Sequence, residues 1–409
     1  MQLKRAKFFI LIFFFLFTLF LSNDFGLIDV EKTSIITALA VDKEEDYYVV
    51  TAQIAVPEAI DAYTENKKAQ LSGKGKTIGE ALKYMADVSG WFPKLAFCNL
   101  IILGNNVANE NVVKVLDYFA KTLRLQDSAL VAVAQDKASD ILSFATPLDN
   151  LSSFAIQKII LKASGFDKDV ASTDIKTFCS YYYSPNSSGY MPLIKVVKAE
   201  NGDSGGQSGS SSSKSVSSAS SQGGQNQKSQ DGSKESNILF DARTTALFKN
   251  GVKVGELSPD LTFAFNTFHY PMTGSSISVE NVLINEQNSN YLLTIFDNKH
   301  SFKVNATNNE VVLDFDLSLF CKVADVNAIG TEESISATTP LPKEVIQKAN
   351  QKLTDDIKSM VYLSVSTGCD FLRIKEKLYR FNYSKYSLYK DNFLTKLKVN
   401  TKVNVHGQE

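Results

Sequence analysis

Along the first half of the chain, hydrophobic and polar positions follow two periods, one typical of strands and one typical of helices. Residues 33–41 and 47–56 are rich in β-branched and apolar side chains and flank a short polar stretch, which predicts an antiparallel pair of strands. Thr77 and Glu80 then form a capping box, and Gly90 can end the helix that follows. The chain is therefore expected to open with two strands and an amphipathic helix.

The same alternation continues toward residue 198. It predicts buried strands over residues 97–103 and 129–134, and helices over residues 112–119, 137–144 and 151–163. Strands that alternate with helices indicate an α/β layer, in which helices cover a sheet. We therefore expect an α/β domain over residues 30–198.

The pattern changes after residue 238. Asn250-Gly251 separates two β-rich runs and is the strongest hairpin signal that a short sequence carries. Ser258 followed by Pro259 predicts the start of a helix. Further strands are predicted over residues 276–284, 291–296, 301–304 and 311–323, a long helix over residues 342–365, and a final alternating strand over residues 397–405. We expect an α+β domain over residues 238–409, with one or two subdomains.

Residues 199–237 show neither the strand nor the helix periodicity of hydrophobic positions. Between Asn201 and Ser236, 14 Ser and 7 Gly fill 36 positions, and Val216 and Ala219 are the only aliphatic side chains. This composition is typical of a flexible linker with a root-mean-square span of roughly 30–35 Å. The expected fold is thus multidomain, with mixed sheets covered by helices in an α/β part and an α+β part.

The N-terminal segment, residues 1–25, has the order of a secretory signal. Lys4, Arg5 and Lys7 precede a run over residues 8–21 that is apolar at every position except Thr18. A helix over this run would reach only about 21 Å, against a hydrocarbon core of about 30 Å. The residues directly after the run, 22–25, contain neither a small-x-small cleavage site nor a cysteine. We expect an uncleaved or poorly cleaved membrane anchor with an outward-facing body, and a buried core helix is the alternative.

Composition narrows the functions further. Forty-three basic against 44 acidic residues give a formal net charge of −1, so no global positive field favours nucleic acid. Cys98, Cys179, Cys321 and Cys369 are widely separated and have no neighbouring histidine, so they predict no metal site. They fit buried thiols, and long-range disulfides are the alternative that an exported chain allows.

One stretch resembles a phosphate-binding loop. Gly75-Lys76-Thr77 matches the end of that motif, but Gln70 stands where the motif needs a glycine. The polar stretch upstream does not predict the strand that such a loop follows. We therefore expect a glycine-containing entry to a capped helix and no nucleotide site.

The remaining polar residues do not form a catalytic pattern. His269, His300 and His406 lie outside the catalytic histidine motifs, and His269 is expected to pack among its aromatic neighbours. Three acidic pairs are expected on solvated surfaces, which are Asp355-Asp356 on a helix, Asp314 and Asp316 on a strand, and Glu332-Glu333 in a loop. We therefore predict no enzyme activity, no catalytic, cofactor-binding or metal-binding residue, and no cofactor.

Two groups of aromatic residues invite an interface interpretation. Tyr181, Tyr182 and Tyr183 end a helix-like segment, and a second group follows the long helix at Tyr379, Phe381, Tyr383, Tyr386 and Tyr389. Tyrosine combines apolar area with a polar group, which suits protein interfaces. Ordinary packing on the sheet is the alternative for both groups.

The order of these segments resembles the C-subunit (Ger(x)C) family of spore germinant receptors. Residues 37–42 (TALAVD) are similar to a TALGID run in that family, and residues 71–77 are similar to its GxGxT element. Later matches include the strand at residues 99–104, VLDYF at 115–119, KASDIL at 137–142, SSF at 152–154, and TALFK with VGELS in the hairpin at 245–258. The resemblance covers roughly residues 33–163 and 244–405.

The resemblance implies a function. Members of the family are lipoproteins of several α/β domains, displayed outside the spore inner membrane beside two integral subunits, and have no known catalytic residues. This chain lacks the lipid-bearing cysteine after the signal, and its Ser/Gly segment is longer than usual, so it resembles a divergent member.

We accordingly expect a membrane-anchored subunit on the outer face of the spore inner membrane, partnered by integral receptor subunits and supporting assembly or nutrient sensing. An anchored extracytoplasmic solute-binding protein is the alternative. The germinant and the ligand-binding residues are not predicted.

Overall fold

The computed structural model describes residues 11–15, 17, 33–55, 69–121, 125–161, 168–198, 238–284, 287–328 and 340–407. The described strands form two sheets. They are β1 (Thr33–Glu44), β2 (Tyr47–Ala55), β3 (Ala69–Gly75), β4 (Phe92–Lys94), β5 (Leu100–Leu103), β6 (Leu130–Ala134), β7 (Ser188–Lys198), β8 (Ile238–Lys249), β9 (Val252–Leu257), β10 (Ser276–Ile284), β11 (Gln287–Ala306), β12 (Val311–Ala328) and β13 (Leu397–Gly407). The helices are α1 (Ile78–Ser89), α2 (Asn105–Ala108), α3 (Val113–Lys121), α4 (Ala138–Ser143), α5 (Ser152–Leu161), α6 (Ile175–Tyr182), α7 (Pro259–Asn266), α8 (Lys343–Thr367), α9 (Ile374–Phe381) and α10 (Tyr383–Tyr389).

The first sheet has a parallel centre and antiparallel flanks. Its order is β3-β2-β1-β5-β6-β7-β8-β9, and β4 pairs with the start of β1. The contacts β1–β5, β5–β6 and β6–β7 are parallel, whereas the two outer strands on each side are antiparallel. Helices α1, α3 and α6 bury one face, and α4 and α5 bury the other. The predicted α/β layer is confirmed.

The predicted opening is also confirmed. β1 and β2 pair antiparallel, and α1 begins and ends at the predicted residues. The Thr77 side chain accepts a hydrogen bond from the Glu80 N–H at 3.1 Å, and the Glu80 carboxylate accepts one from the Lys76 N–H at 2.7 Å. Gly90 ends the helix with a φ of 71°, which favours glycine.

A buried carboxylate joins the centre of the first sheet to α4. Asp42, near the end of β1, accepts hydrogen bonds from the Ala138 and Ser139 N–H groups at 2.8 and 2.9 Å. These are donors of the first turn of α4, which a negative charge stabilises. A Cβ on Gly104 would lie 2.1 Å from Asp42 Oδ1, so the carboxylate needs glycine there. The last residue of the TALAVD run therefore has a structural role.

A second buried network joins the same sheet to α5. The fully buried Gln53 donates to the Leu142 carbonyl and to Ser152 Oγ, both at 2.9 Å, and accepts from the Ser153 N–H at 3.0 Å. Ser153 Oγ lies 3.0 Å from Thr37 Oγ1. The serines of the SSF segment thus fix a helix to the sheet.

The second sheet has the order β10-β11-β12-β13, and α8 covers one face. Val345, Leu353 and Ile357 of α8 are buried against it. β11 is one continuous strand of 20 residues, where the sequence predicted two short ones, and β13 pairs parallel with β12. The predicted long helix, final strand and α+β character are confirmed.

The hairpin expected to open the C-terminal part extends the first sheet. β8 pairs with β7 from Ser188↔Lys249 to Lys198↔Ile238, and β9 pairs with β8. The turn between β8 and β9 has positive φ at Asn250 (52°) and Gly251 (80°), as a two-residue hairpin requires. The sheet therefore crosses the division that composition places at residues 199–237.

Other elements differ from the predictions. The polar stretch before α1 is strand β3, β7 was not predicted, and neither were α9 and α10. The strand predicted over residues 97–103 begins only at Leu100, because residues 95–97 form a 3₁₀ turn.

Two predicted segments lie largely or wholly outside the described residues. They are the linker at 199–237 and the N-terminal anchor, of which residues 11–15 and 17 are described as helical and exposed. Among the helices of the described ranges, none is long and apolar enough to cross a membrane. The N-terminal membrane segment stays a prediction.

Candidate functional site: a buried polar junction between the two sheets

The C-terminal end of α8 meets the start of β7 and the end of β8. Polar side chains are buried where these three elements meet. Gly368 ends α8 with a φ of 65°, and the chain then passes through Cys369 and Asp370 before α9 begins. Asn186 lies in the turn before β7, Ser188 is the first residue of β7, and Lys249 is the last residue of β8. This junction brings the first sheet against the α8–α9 layer.

Asp370 is the centre of the junction. Its carboxylate is 1% exposed and accepts hydrogen bonds from the Ile374 and Lys375 N–H groups, both at 2.8 Å. It thereby caps α9, whose preceding residue Arg373 has a φ of 59° and provides no cap of its own. Burial raises the pKa of Asp370 to about 7, although the helix N–H groups and the nearby lysines Lys249 and Lys375 oppose that rise.

Hydrogen bonds from β7 and β8 complete the junction. Lys249 Nζ donates to the Asn186 carbonyl at 2.8 Å, and burial lowers the pKa of that lysine. Ser188 Oγ accepts from the Asp370 N–H at 3.1 Å and donates to the Asn186 carbonyl at 3.0 Å. The Asn186 Oδ1, in a side chain that is 1% exposed, has no hydrogen-bond partner within the described residues.

The thiols do not form a reactive group at the junction or elsewhere in the described chain. Cys369 Sγ donates to the Phe248 carbonyl at 3.1 Å, and burial raises its pKa to about 12. Burial also raises the pKa values of Cys98 and Cys321 to about 12 and that of the half-buried Cys179 to about 11. The four thiols are free, and a protonated thiol is a poor nucleophile.

An ion-pair cluster lies beside the junction. Glu376 of α9 is 5% exposed and accepts hydrogen bonds from Arg373 Nε and Nη2 at 2.5 and 2.6 Å. Arg380 pairs with the same carboxylate. The Arg373 guanidinium also lies 4.6 Å from the centre of the Tyr181 ring, so α9 contacts the end of α6.

Aromatic rings continue this contact into the second sheet's core. Ring centroids are 5.7 Å apart for Tyr181 and Tyr190, 5.0 Å for Tyr190 and Phe265, and 5.7 Å for Phe265 and Phe371. Tyr190, Phe265 and Phe371 are buried in one cluster with residues of α8 and β12. The two sheets therefore share a packed core.

The sequence-predicted polar residues lie apart from the junction. His269 stacks on Phe265 at 4.1 Å, His300 lies near Phe268, and His406 stacks on Phe320 at 4.9 Å. Asp314 and Asp316 occupy outward positions of β12, and Asp355 is exposed on α8, while Asp356 pairs with Lys352. Glu332 and Glu333 lie outside the described residues. In the described ranges, no group of three or more His, Cys, Asp or Glu residues could hold a metal ion.

The stretch before α1 that resembles a phosphate-binding loop has a structural explanation. β3 is an antiparallel strand at the edge of the sheet, whereas a phosphate-binding loop follows a parallel strand. A Cβ on Gly73 would lie 2.1 Å from the Ala81 carbonyl oxygen, and one on Gly75 would lie 2.5 Å from the Ala81 N. These glycines let α1 approach the strand closely.

The tyrosine groups divide between packing and exposure. Tyr181 joins the junction, Tyr182 accepts from Asn111 Nδ2 at 3.4 Å, and Tyr183 is 66% exposed and donates to Asp117 at 3.0 Å. In the second group, Tyr389 is buried and donates to the Thr307 carbonyl at 3.0 Å, while Phe381 is 83% exposed. Packing accounts for Tyr181, Tyr182 and Tyr389, and the interface interpretation of the exposed Tyr183 and Phe381 stays a prediction.

The sequence analysis missed the junction itself. Asp370 and Lys249 are isolated in sequence, and Asn186 follows a proline in a segment that was not predicted to lead into a strand. The available signal was a charged residue two positions after a helix-ending glycine, at Gly368 and Asp370. The Asp370 carboxylate and the Lys249 amine both form hydrogen bonds to backbone groups, so the arrangement holds a protein body together.

Comparisons with known proteins give a consistent result. A family model described as the spore germination protein N-terminal domain matches residues 27–196, and one described as spore germination B3/GerAC like, C-terminal, matches residues 243–408. Spore germination protein B3 of Bacillus subtilis (strain 168) is 30% identical over 206 residues, which are 48% of this chain and 53% of that protein. The alignment thus spans about half the length of this curated relative. The crystal structure of the GerBC protein superposes with a TM-score of 0.49 at 16% identity, covering 93% of this chain and 100% of the other.

Proposed function

The chain belongs to the GerAC-like family of spore germination proteins, and from this membership we propose that it is a non-enzymatic, membrane-associated subunit of a spore germinant receptor. In this role its body supports assembly of the receptor or sensing of nutrients. The single observation that carries the proposal is the match of both family models, one on each side of residues 199–237. The name of the similar Bacillus subtilis protein, spore germination protein B3, also refers to spore germination.

The chemistry of the described residues supports a binding role. The polar groups at the junction hold helices and strands, and the thiols are protonated at neutral pH because burial raises their pKa values. A body of this kind presents a fixed surface to partners. We propose integral membrane subunits of the receptor as those partners, with the body on the outer face of the spore inner membrane.

The apolar run at residues 8–21 supports membrane attachment. It follows three basic residues, and its described residues, 11–15 and 17, are helical and exposed. Affinity isolation of the tagged chain from detergent-solubilised spore membranes tests the proposal. We expect polytopic subunits of one receptor to co-purify in fixed ratio, and recovery of the chain from the soluble fraction without them would contradict it.

The solute-binding alternative requires two lobes that close on a ligand. Here β7, β8 and β9 lie in one sheet, although residues 199–237 separate β7 from β8 in the sequence. Tyr190, Phe265 and Phe371 are packed in one buried cluster between the two parts. This geometry gives the alternative no support. A thermal-shift series with amino acids, sugars and nucleosides is the corresponding test, because a true ligand raises the melting temperature with concentration.

A further inference from the structure

Three large apolar side chains are exposed in consecutive segments beside the start of β1. Val88 is 68% exposed near the end of α1, Trp91 is 47% exposed just after the helix, and Phe97 is 52% exposed in the 3₁₀ turn that follows β4. We call this set the Trp91 patch. Contiguous exposed apolar residues of this size on a folded body mark a surface that meets a partner or a membrane.

The patch follows from the local sequence. Ile78, Leu82 and Met85 take the buried face of α1, which leaves Tyr84 and Val88 on the outer face. Gly90 then ends the helix in the left-handed region and directs the chain into β4. The described body leaves about half or more of the Val88, Trp91 and Phe97 side chains uncovered.

The position of the patch relative to the N-terminus is fixed by strand pairing. β4 pairs in parallel with the first residues of β1, with Thr33 opposite Phe92 and Ile35 opposite Lys94. The chain therefore enters the first sheet beside the patch. β1 is 12 residues long, so the opposite end of the strand lies about 40 Å away.

Little chain separates the apolar run from this entry point. The run ends at Leu21 and β1 begins at Thr33, so residues 22–32 connect them. Eleven residues span at most about 36–40 Å even when fully extended. A bilayer that holds residues 8–21 is consequently close to the end of the sheet that carries the patch.

We infer that the Trp91 patch lies in the interfacial layer of the membrane to which residues 8–21 attach the chain. The inference rests on the membrane attachment in the proposed function and adds the face on which the body is seated. Tryptophan favours the membrane interface, because its ring is apolar and its N–H group reaches water. Phe97 and Val88 supply the apolar area that enters the acyl boundary.

Charge at the patch agrees with an anionic bilayer. Lys94 is exposed within it, and Lys94 Nζ lies 5.8 Å from the Phe97 ring centre. Each lysine near an anionic surface contributes about 1 kcal/mol. Asp87 is also exposed on α1, so the rings contribute more to the contact than the charges do. Attachment through residues 8–21 raises the local concentration of lipid, which lets a weak interfacial affinity seat the body.

The chain contains a single tryptophan, so its fluorescence reports on the patch directly. The test reconstitutes the full chain into vesicles of phosphatidylglycerol and phosphatidylcholine, with and without bromine on the upper acyl carbons. We expect flotation with the vesicles, a blue shift of Trp91 emission, loss of most of its intensity with brominated lipid, and protection from aqueous iodide. Val88→Ser combined with Phe97→Ser should weaken the bromine quenching several-fold.

A matched control comes from another exposed ring. Phe381→Ser changes a residue that is 83% exposed on α9, away from the N-terminal entry, and should leave the quenching of Trp91 unchanged. Stable flotation with Trp91 still open to iodide would overturn the seating of the patch while leaving membrane attachment intact. Absence of flotation would overturn both. Protection of Trp91 only when a polytopic subunit is added would assign the patch to a protein partner and overturn the lipid contact.

Discussion

At the scale of single residues, two buried aspartates perform the same task in different halves of the molecule. Asp42 accepts hydrogen bonds from two N–H groups in the first turn of α4. Asp370 accepts two from the first turn of α9, which follows it in the chain. Hydrogen bonds to a charged acceptor contribute about 1.5–3 kcal/mol. Each carboxylate therefore fixes the position of a helix that has no effective cap of its own.

Replacement of Asp42 tests the first of these ties. Asp42→Ala removes both hydrogen bonds to α4, and we expect the free energy of unfolding to fall by about 2–3 kcal/mol. Urea unfolding followed by circular dichroism measures the change. The exposed Asp46→Ala in the neighbouring turn is the control and should stay within about 0.5 kcal/mol of wild type. Equal stability of the two variants would show that the hydrogen bonds from α4 to Asp42 do not stabilise the fold.

Asp370 predicts a pH dependence with a defined sign. Burial raises its folded pKa from the ordinary 3.8 to about 7, so in that window the native state holds a proton that the unfolded chain has released. Its contribution to stability is therefore greatest below about pH 4, falls as pH rises toward 7, and levels off above. The total change is on the order of 4 kcal/mol.

Asp370→Asn isolates this contribution, because the amide does not titrate. We expect the unfolding free energy of wild type, minus that of Asp370→Asn, to decrease steadily from pH 4 to pH 7 in a series of urea titrations. Asp46→Asn makes the same chemical change at an exposed position and is the matched control. A difference that does not vary with pH would mean that Asp370 is ionised throughout.

At the scale of elements, local signals predicted most of the fold. The strand pair β1–β2, helix α1 with its cap, and the Asn250-Gly251 hairpin all follow from adjacent residues. β3 was missed because an edge strand tolerates polar residues, such as Gln70 and Lys74.

β7 was missed for a different reason. Pro192 lies in its middle, and proline lacks the N–H that a central strand uses. β6 pairs with β7 only at Leu193 and Ile194, so Pro192 lies just before the paired residues on that side. The junction was unpredictable for a related reason, since Asn186, Lys249 and Asp370 meet only after three distant segments have folded.

The pairing of β7 with β8 predicts that residues 199–237 can be replaced by a turn. Lys198 and Ile238 are cross-strand partners, so an Asn-Gly dipeptide can connect them directly. Closing a shorter loop costs less entropy, and we expect the free energy of unfolding to rise by as much as about 2 kcal/mol. Urea unfolding measures this, and a half-length segment should gain about 0.6 kcal/mol relative to wild type. Failure of the Asn-Gly variant to fold would contradict the continuous sheet.

At the scale of the whole molecule, the two regions matched by the family models share a sheet and a core. β8 and β9 lie in the second matched region but extend the sheet built by the first, and Tyr190 of β7 packs with Phe265 and Phe371. The two matched regions are therefore parts of one packed body.

This shared core predicts a single unfolding transition. Trp91 fluorescence reports on the first sheet, and hydrogen exchange of β12 reports on the second. We expect the two probes to give coincident midpoints in urea, because neither region can unfold without exposing the common core. Two separated midpoints would show that the regions are independent.

The central claim is that the chain is a working subunit of a germinant receptor. Its most direct test is the release of dipicolinic acid from spores that lack the gene, compared with the complemented strain, across a panel of single nutrients. We predict a specific loss of response to some nutrients, restored by complementation, with a normal response to direct chemical release. Normal germination on every nutrient, in a strain without a second receptor to compensate, would contradict the account.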